Sequence, residues 1–275
     1  MWYNYREVII LEKKTSFFLR FYREMIDEIK KKKAVATVYF IFRFIVIAIG
    51  ILMLISGNYE GALLCMLTLV LFLIPAFVEK TFRVELPTPL EIITLIFIFA
   101  AEILGEIAEY YVRFPVWDTL LHTVTGFLAA AVGLSLIDLL NRSDRFKIRL
   151  SPVFVAIVSF CFSMTVGVVW EFFEFGMDVF VGTDMQKDTV LSAISSVMLH
   201  PEGKNIPVVI RDIESVAVNG SALNVYGYLD IGLYDTMKDL IVNFIGATVF
   251  SVFGYFYTKY GKTSKVVESL KIEKA

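Results

Sequence analysis

Nine carboxylates and one histidine stand in stretches otherwise apolar enough for hydrocarbon. Glu102, Glu106 and Glu109 are spaced i, i+4, i+7, and Asp118 and His122 lie four apart. Glu171, Glu174 and Asp178 follow i, i+3, i+7, while Asp235, Asp239 and Asn243 step by four, with Gly246 on the same stripe. At about 100° per residue, each set lines one face of a helix. A charge at mid-bilayer costs about 2.5–3.5 kcal/mol on insertion scales, so four such stripes call for a reason. Close carboxylates in low dielectric either keep protons or are neutralised by cations. Oxygen donors with a single imidazole suit Mg2+, Mn2+, Ca2+ or Zn2+, and spacing alone does not choose among them. The candidate ligands of such a divalent metal are therefore His122, Asp118, Asp235, Asp239, Glu171 and Glu174, with Glu171 or Glu174 the candidate general base. Glu102, Glu106 and Asn243 complete the polar surround. No other cofactor is expected.

Simpler roles compete at each position. Glu109 and Asp178 are better explained by solvation at headgroup level, and Glu102 and Glu106 equally well by interhelical hydrogen bonds to a Ser, a Thr or Arg43. Lys238, three residues after Asp235, can pair with it or snorkel outward. A lone membrane histidine is ordinarily structural, but His122 sits one helical turn after Asp118 and faces other acidic helices. Cys65 and Cys161 fall in apolar runs and read as packing residues.

Positioning these residues requires membrane helices. The 275 residues are 57% hydrophobic and 20% charged, with 25 Phe; soluble chains carry about 45–50% apolar residues. This excludes a disordered chain and a disulfide scaffold, and the net charge of −2 argues against a nucleic-acid partner. Six segments reach the ~20 residues a bilayer needs: 36–56, 60–78, 87–110, 116–139, 151–180 and 233–258. The expected fold is an all-α polytopic membrane bundle of six transmembrane helices. It divides into a basic amphipathic segment (1–35), helices one to five (36–180), a loop (181–232), helix six (233–258) and a basic tail (259–275). No cleavable signal peptide is expected before the first apolar run. Phe17, Phe18, Phe21, Met25 and Ile29 recur near helical spacing among basic residues, as in a helix lying on an anionic leaflet or in a solvated basic arm. In the 181–232 loop, Asn219-Gly220 between Val216–Val218 and Leu223–Tyr228 predicts a small β-hairpin.

Orientation follows the positive charges. Nine Lys and Arg precede the first span; Lys80 and Arg83, Arg142, Arg145, Lys147 and Arg149, and five more in the tail fall on the same side. Arg113, Lys187, Lys204 and Arg211 face them. N- and C-termini are thus expected in the cytoplasm and the 181–232 loop outside. All four stripes then lie at similar depth in the outer half of the bilayer, with Trp117 and Trp170 at headgroup level.

Trp117-Asp118-x-x-Leu121-His122-x-x-x-Gly126-Phe127, then Trp170-Glu171-Phe172-x-Glu174, then Tyr234-Asp235-Thr236-Met237-x-Asp239 and Gly246-Ala247 resemble the YjdF-type family of uncharacterised inner-membrane proteins over about 85–258. The order of acid and His, acids, then Asp-x-x-x-Asp and Gly is also similar, more distantly, to the VanZ-like group linked to glycopeptide resistance. The resemblance implies that Asp118, His122, Glu171, Glu174, Asp235 and Asp239 are signature polar residues, and that the host membrane is a bacterial or archaeal cell (plasma) membrane. The chain departs from the family pattern between Thr189 and Gly232, where the connection is longer.

Three functions fit these residues: a metal-dependent enzyme acting on a lipid headgroup or lipid-linked envelope substrate, a proton- or cation-coupled transporter, and a non-catalytic lipid- or ligand-binding protein. No HExxH pair or serine-nucleophile signature selects the first. Membrane lipids are the expected partners, and oligomeric state is not encoded legibly. The orientation is tested by labelling: with the two native cysteines replaced, a cysteine introduced at Asn219 should react with an impermeant maleimide from outside intact cells. Protection until the membrane is opened would reverse the topology.

Overall fold

The computed structural model describes residues 19–20, 22–27, 29–141, 150–261 and 264–274. Among the described residues, five helices are long and apolar enough to cross a membrane. The first is α1 (Lys33–Ile55). The second, Tyr59–Phe82, is divided into α2 (Tyr59–Leu71) and α3 (Ile74–Phe82), the latter with Pro75 in its first turn. The others are α6 (Trp117–Asn141), α7 (Pro152–Val181) and α8 (Leu233–Tyr260). Their outward faces carry Phe44, Ile55, Phe172 and Phe180, all exposed, which suits hydrocarbon and not water.

The segment expected as one α-helix over 87–110 differs. It begins as α4 (Thr88–Ile98), with Pro89 in the first turn, and continues as a π-helix over Phe99–Ile107. The chain then turns at Glu109, in the left-handed region at φ 59°, into the single turn α5 (Tyr110–Arg113). A π-helix bonds i to i+5, so the angular spacing that aligned its acids no longer holds. Gly105 sits where a Cβ would come 2.3 Å from the Tyr111 ring, so only glycine admits that ring.

Helices α6, α7 and α8 form the centre. A Cβ on Gly246 would lie 2.1 Å from the Thr123 carbonyl oxygen, and one on Gly126 would lie 2.2 Å from that of Asn243. Small residues thus let α6 and α8 touch backbone to backbone, as membrane helices do in the absence of a hydrophobic driving force between them. Ser163 Oγ donates to the Gly126 carbonyl at 2.7 Å and Ser159 Oγ to the Ala130 carbonyl at 2.5 Å, tying α7 to α6. Local signals start α7 where the sequence places it: Ser151 caps the Phe154 amide at 3.2 Å, Pro152 follows, and Gly182 at φ 79° closes the far end.

The two ends of the bundle differ. At the end where residues 181–232 emerge, three short antiparallel pairs form: β2 (Thr189–Leu191) with β7 (Tyr228–Asp230), β3 (Ile194–Ser196) with β4 (Val208–Ile210), and β5 (Ala217–Val218) with β6 (Ser221–Ala222). The last is the expected hairpin, with Asn219 at φ 52° and Gly220 at φ 81° as its two-residue turn needs. The other two pairs are additional.

At the opposite end, the tail is docked. Helix α9 (Lys265–Leu270) buries Val267 and Leu270, and β8 (Glu273–Lys274) pairs with β1 (Val84–Glu85). Lys271 Nζ meets Asp138 at 2.7 Å. Phe17, Phe18, Phe21 and the loop cations Arg142, Arg145, Lys147 and Arg149 lie outside the described residues. The described part of 19–31 is helical, with Met25 and Ile29 buried in the same core as Tyr39 and Phe72. Lys32 Nζ donates to Glu79 at 2.8 Å, to the Leu86 carbonyl at 2.6 Å and to Glu91. Burial works against its charge, but Glu79 and Glu91 outweigh that and hold the lysine above its ordinary pKa.

The tight crossing gives a direct expectation. Gly246→Ala should cost about 1–3 kcal/mol, the usual penalty of overpacking. Gly176→Ala, whose nearest neighbour would be 4.0 Å away, should be neutral. Thermal unfolding of the purified protein in detergent checks the pair; equal melting temperatures would contradict the contact.

Candidate functional site

Three helices bring their polar stripes together at the end from which residues 181–232 emerge. Asp118 and His122 occupy the first two turns of α6, and Asp235 and Asp239 the first two of α8. Glu171 and Glu174 lie one turn apart on α7, which runs on to Val181, about 15 Å past Glu171 at 1.5 Å per residue.

His122 is the hub. Its Nε2 lies 3.5 Å from Asp118 Oδ1 and 3.9 Å from Asp239 Oδ2, and its Nδ1 lies 3.8 Å from Glu171 Oε1. Two sets of donors gather within 4.8 Å of one another and could hold a cation: Asp118, His122 and Asp239, and His122, Glu171 and Glu174. Burial deepens from rim to floor, with side-chain exposure falling from 42% at Lys238 to 5% at Glu171 and 1% at Asp239.

Several acids here lack hydrogen-bond partners. Both Glu171 oxygens, Asp239 Oδ1 and Asp118 Oδ2 are buried without a hydrogen bond. Thr236 and Gln186 stand beside Glu171, with the Gln186 amide donating one of its two hydrogens to Thr236 Oγ1 at 2.5 Å. Glu174 Oε1 accepts from the Trp170 indole at 2.8 Å, so Trp170 belongs to the site. Lys238 Nζ reaches three acids on one side: Asp235 at 3.3 Å, Asp118 at 3.5 Å and Asp239 at 3.9 Å. A buried carboxylate left unpaired is costly, so the arrangement calls for a proton or a cation.

The remaining sequence candidates fall elsewhere. Asp235 joins neither donor set; its Oδ2 accepts from the Lys187 amide at 2.8 Å, fastening the loop to α8. Asp178 accepts from Thr183 Oγ1 at 2.8 Å and from the Met185 and Gln186 amides at 2.6 and 2.8 Å, an anchor for the same loop. Asn243 is buried one turn below Asp239, with its amide 3.5 Å from the Ser163 carbonyl and Oδ1 unpartnered. Glu102 is half-buried in the π-helix, while Glu106 is exposed; among the described residues neither hydrogen-bonds nor ion-pairs with the cluster. Glu109 pairs with Arg113 at 2.8 Å on the surface. Beyond the spans, burial pushes the Asp188 carboxyl up, and Asp184, Asp230 and Asp178 add to the effect against Lys187.

Sequence reasoning missed Tyr111, which stands in the field of Asp118, Glu106, Glu102 and Glu174. An aromatic in a four-residue helix carries no pattern that would single it out. It also credited Lys238 with one carboxylate where the structure gives it three.

Residues 37–260 match the family described as predicted membrane protein, DUF2238. The chain belongs to that family. The YjdF-type resemblance and the DUF2238 assignment are the same family. No curated protein and no solved structure matches the chain. All the residues gathered around His122 fall inside the span that places the chain in DUF2238.

Proposed function

We propose that this membrane protein spans a cell membrane six times, counting α4 with its π-helical continuation, with residues 181–232 outside. Its His/Asp/Glu site then binds a divalent cation in the outer half of the bilayer and acts on a lipid headgroup or lipid-linked envelope substrate. The observation that carries this reading is the set of buried carboxylate oxygens without hydrogen bonds around a single imidazole, Glu171 above all.

A bound divalent cation would lower the pKa of a coordinated water and polarise a phosphoryl or carbonyl oxygen. A carboxylate oxygen of Glu171 or Glu174 that does not coordinate the ion would take the proton of the attacking water. Lys238, at the rim and 42% exposed, would meet a headgroup phosphate as it arrives. Lateral entry from the bilayer would account for a site that sits among exposed Phe172, Phe173 and Phe175.

Transport is less well supported. Below Asn243, the space among α6, α7 and α8 is filled by Ala130, Ala131, Leu134, Ala247 and Phe250, all buried. Of the small hydroxyls that continue inward, Ser163 and Ser159 are bonded to backbone carbonyls, and Ser251 Oγ alone of these three is buried without a partner. A polar cluster backed by packed apolar residues suits binding or catalysis better than passage.

Elemental analysis of protein purified without chelator should find about one divalent metal per chain, and His122→Ala should lose it while remaining monodisperse. Metal-free wild-type protein that also fails to take up Mn2+ or Zn2+ would end the metal-dependent reading.

A further inference from the structure

The two donor sets share one histidine, yet a neutral imidazole offers one lone pair and one N–H. Only one set can be the metal site; the other must receive the remaining proton. Resting on the cation-binding reading above, we infer that the metal is held on the Nδ1 side by His122, Glu171 and Glu174, and that Asp118 and Asp239 are positioning residues that accept the Nε2 proton and fix the ring.

Charge decides between the sides. Asp118 and Asp239 share a counter-ion with Asp235, Lys238 Nζ lying 3.5 Å and 3.9 Å from the first two and 3.3 Å from the third. Among the described residues, no Lys or Arg pairs with Glu171 or Glu174; their neighbouring donors are neutral, the Trp170 indole on Glu174 and the Thr236 and Gln186 side chains beside Glu171. Both oxygens of Glu171 are buried and unbonded, and Oε1 faces Nδ1 at 3.8 Å. Two ligands about 2.1 Å from a tetrahedral ion stand about 3.4 Å apart, so an ion between them needs only a small closure.

The other half also fits metal-site chemistry. A ligating histidine almost always gives its second N–H to a carboxylate, a backbone carbonyl or water. Nε2 has two within reach, Asp118 Oδ1 at 3.5 Å and Asp239 Oδ2 at 3.9 Å, from two different helices. Three protein ligands would leave a coordination position for water or substrate, as catalytic sites require. The Trp170 bond to Glu174 Oε1 leaves the second oxygen of that carboxylate for the ion.

The test uses the full chain in nanodiscs, labelled with 15N-histidine. The protein has two histidines, His122 and His200, so a His200→Gln sample assigns the signals. Zn2+ titrated into chelator-treated protein should leave the proton on His122 Nε2 and move Nδ1 to a metal-bound shift. Asp118→Asn and Asp239→Asn should weaken Zn2+ binding by about 10–100-fold while keeping that pattern. Glu171→Gln should abolish the Nδ1 shift. Zn2+ bound with the proton on Nδ1 and the metal on Nε2 would overturn this assignment and leave the cation-binding reading intact. No Zn2+ bound by the wild type would overturn both.

Discussion

The close approach of α6 and α8 governs the rest of the structure. Gly126 and Gly246 bring two backbones to distances at which a single added carbon on either would collide with a carbonyl. His122 stands one turn before Gly126, and Asp239 two turns before Gly246, so the crossing sets the depth and rotation of both. Helix α7 is then fastened by Ser163 and Ser159, whose hydroxyls donate to carbonyls of α6. Gly167 presses on the Asn243 amide, where a Cβ would lie 2.7 Å from Nδ2. Glu171, one turn beyond Gly167, is thereby aimed at the histidine.

That geometry concentrates charge where the medium least tolerates it. Five acids, Asp118, Glu171, Glu174, Asp235 and Asp239, surround one imidazole and one lysine, and Lys238 can compensate only the side it touches. Buried ions are retained only when paired or bonded, and a carboxylate with neither is destabilising by several kcal/mol. The opposite end of the bundle shows the contrasting solution: Glu79 and Glu91 are as deeply buried, but Lys32 and the Leu86 amide satisfy them. One cluster is closed and reads as a structural lock; the other is left open.

Much of this was legible because an α-helix keeps its period. Asp118 with His122, Glu171 with Glu174, and Asp235 with Asp239 read as facing stripes and are found on facing helices. The stripe at Glu102, Glu106 and Glu109 was not realised, because the segment winds as a π-helix and reverses at Glu109. Nothing in its composition announces that change of pitch. Asn219-Gly220 marked its hairpin since few residues other than these accept positive φ, whereas three-residue strands such as Thr189–Leu191 and Ile194–Ser196 are too short to show alternation. Glu79 and Glu91 share no spacing that links them in the sequence; only the fold reveals that Lys32 draws them into one buried cluster. The tail read as a basic segment, yet Val267, Leu270 and Ile272 fill the base of the bundle.

The most direct test of the central claim, that acids of three helices build one cation-binding hollow around His122, is anomalous diffraction from crystals of the protein soaked in Mn2+ or Zn2+. The account predicts one strong peak within about 2.0–2.2 Å of a His122 nitrogen and a Glu171 oxygen. Peaks confined to exposed carboxylates such as Glu106 and Glu109, with none at His122, would contradict it.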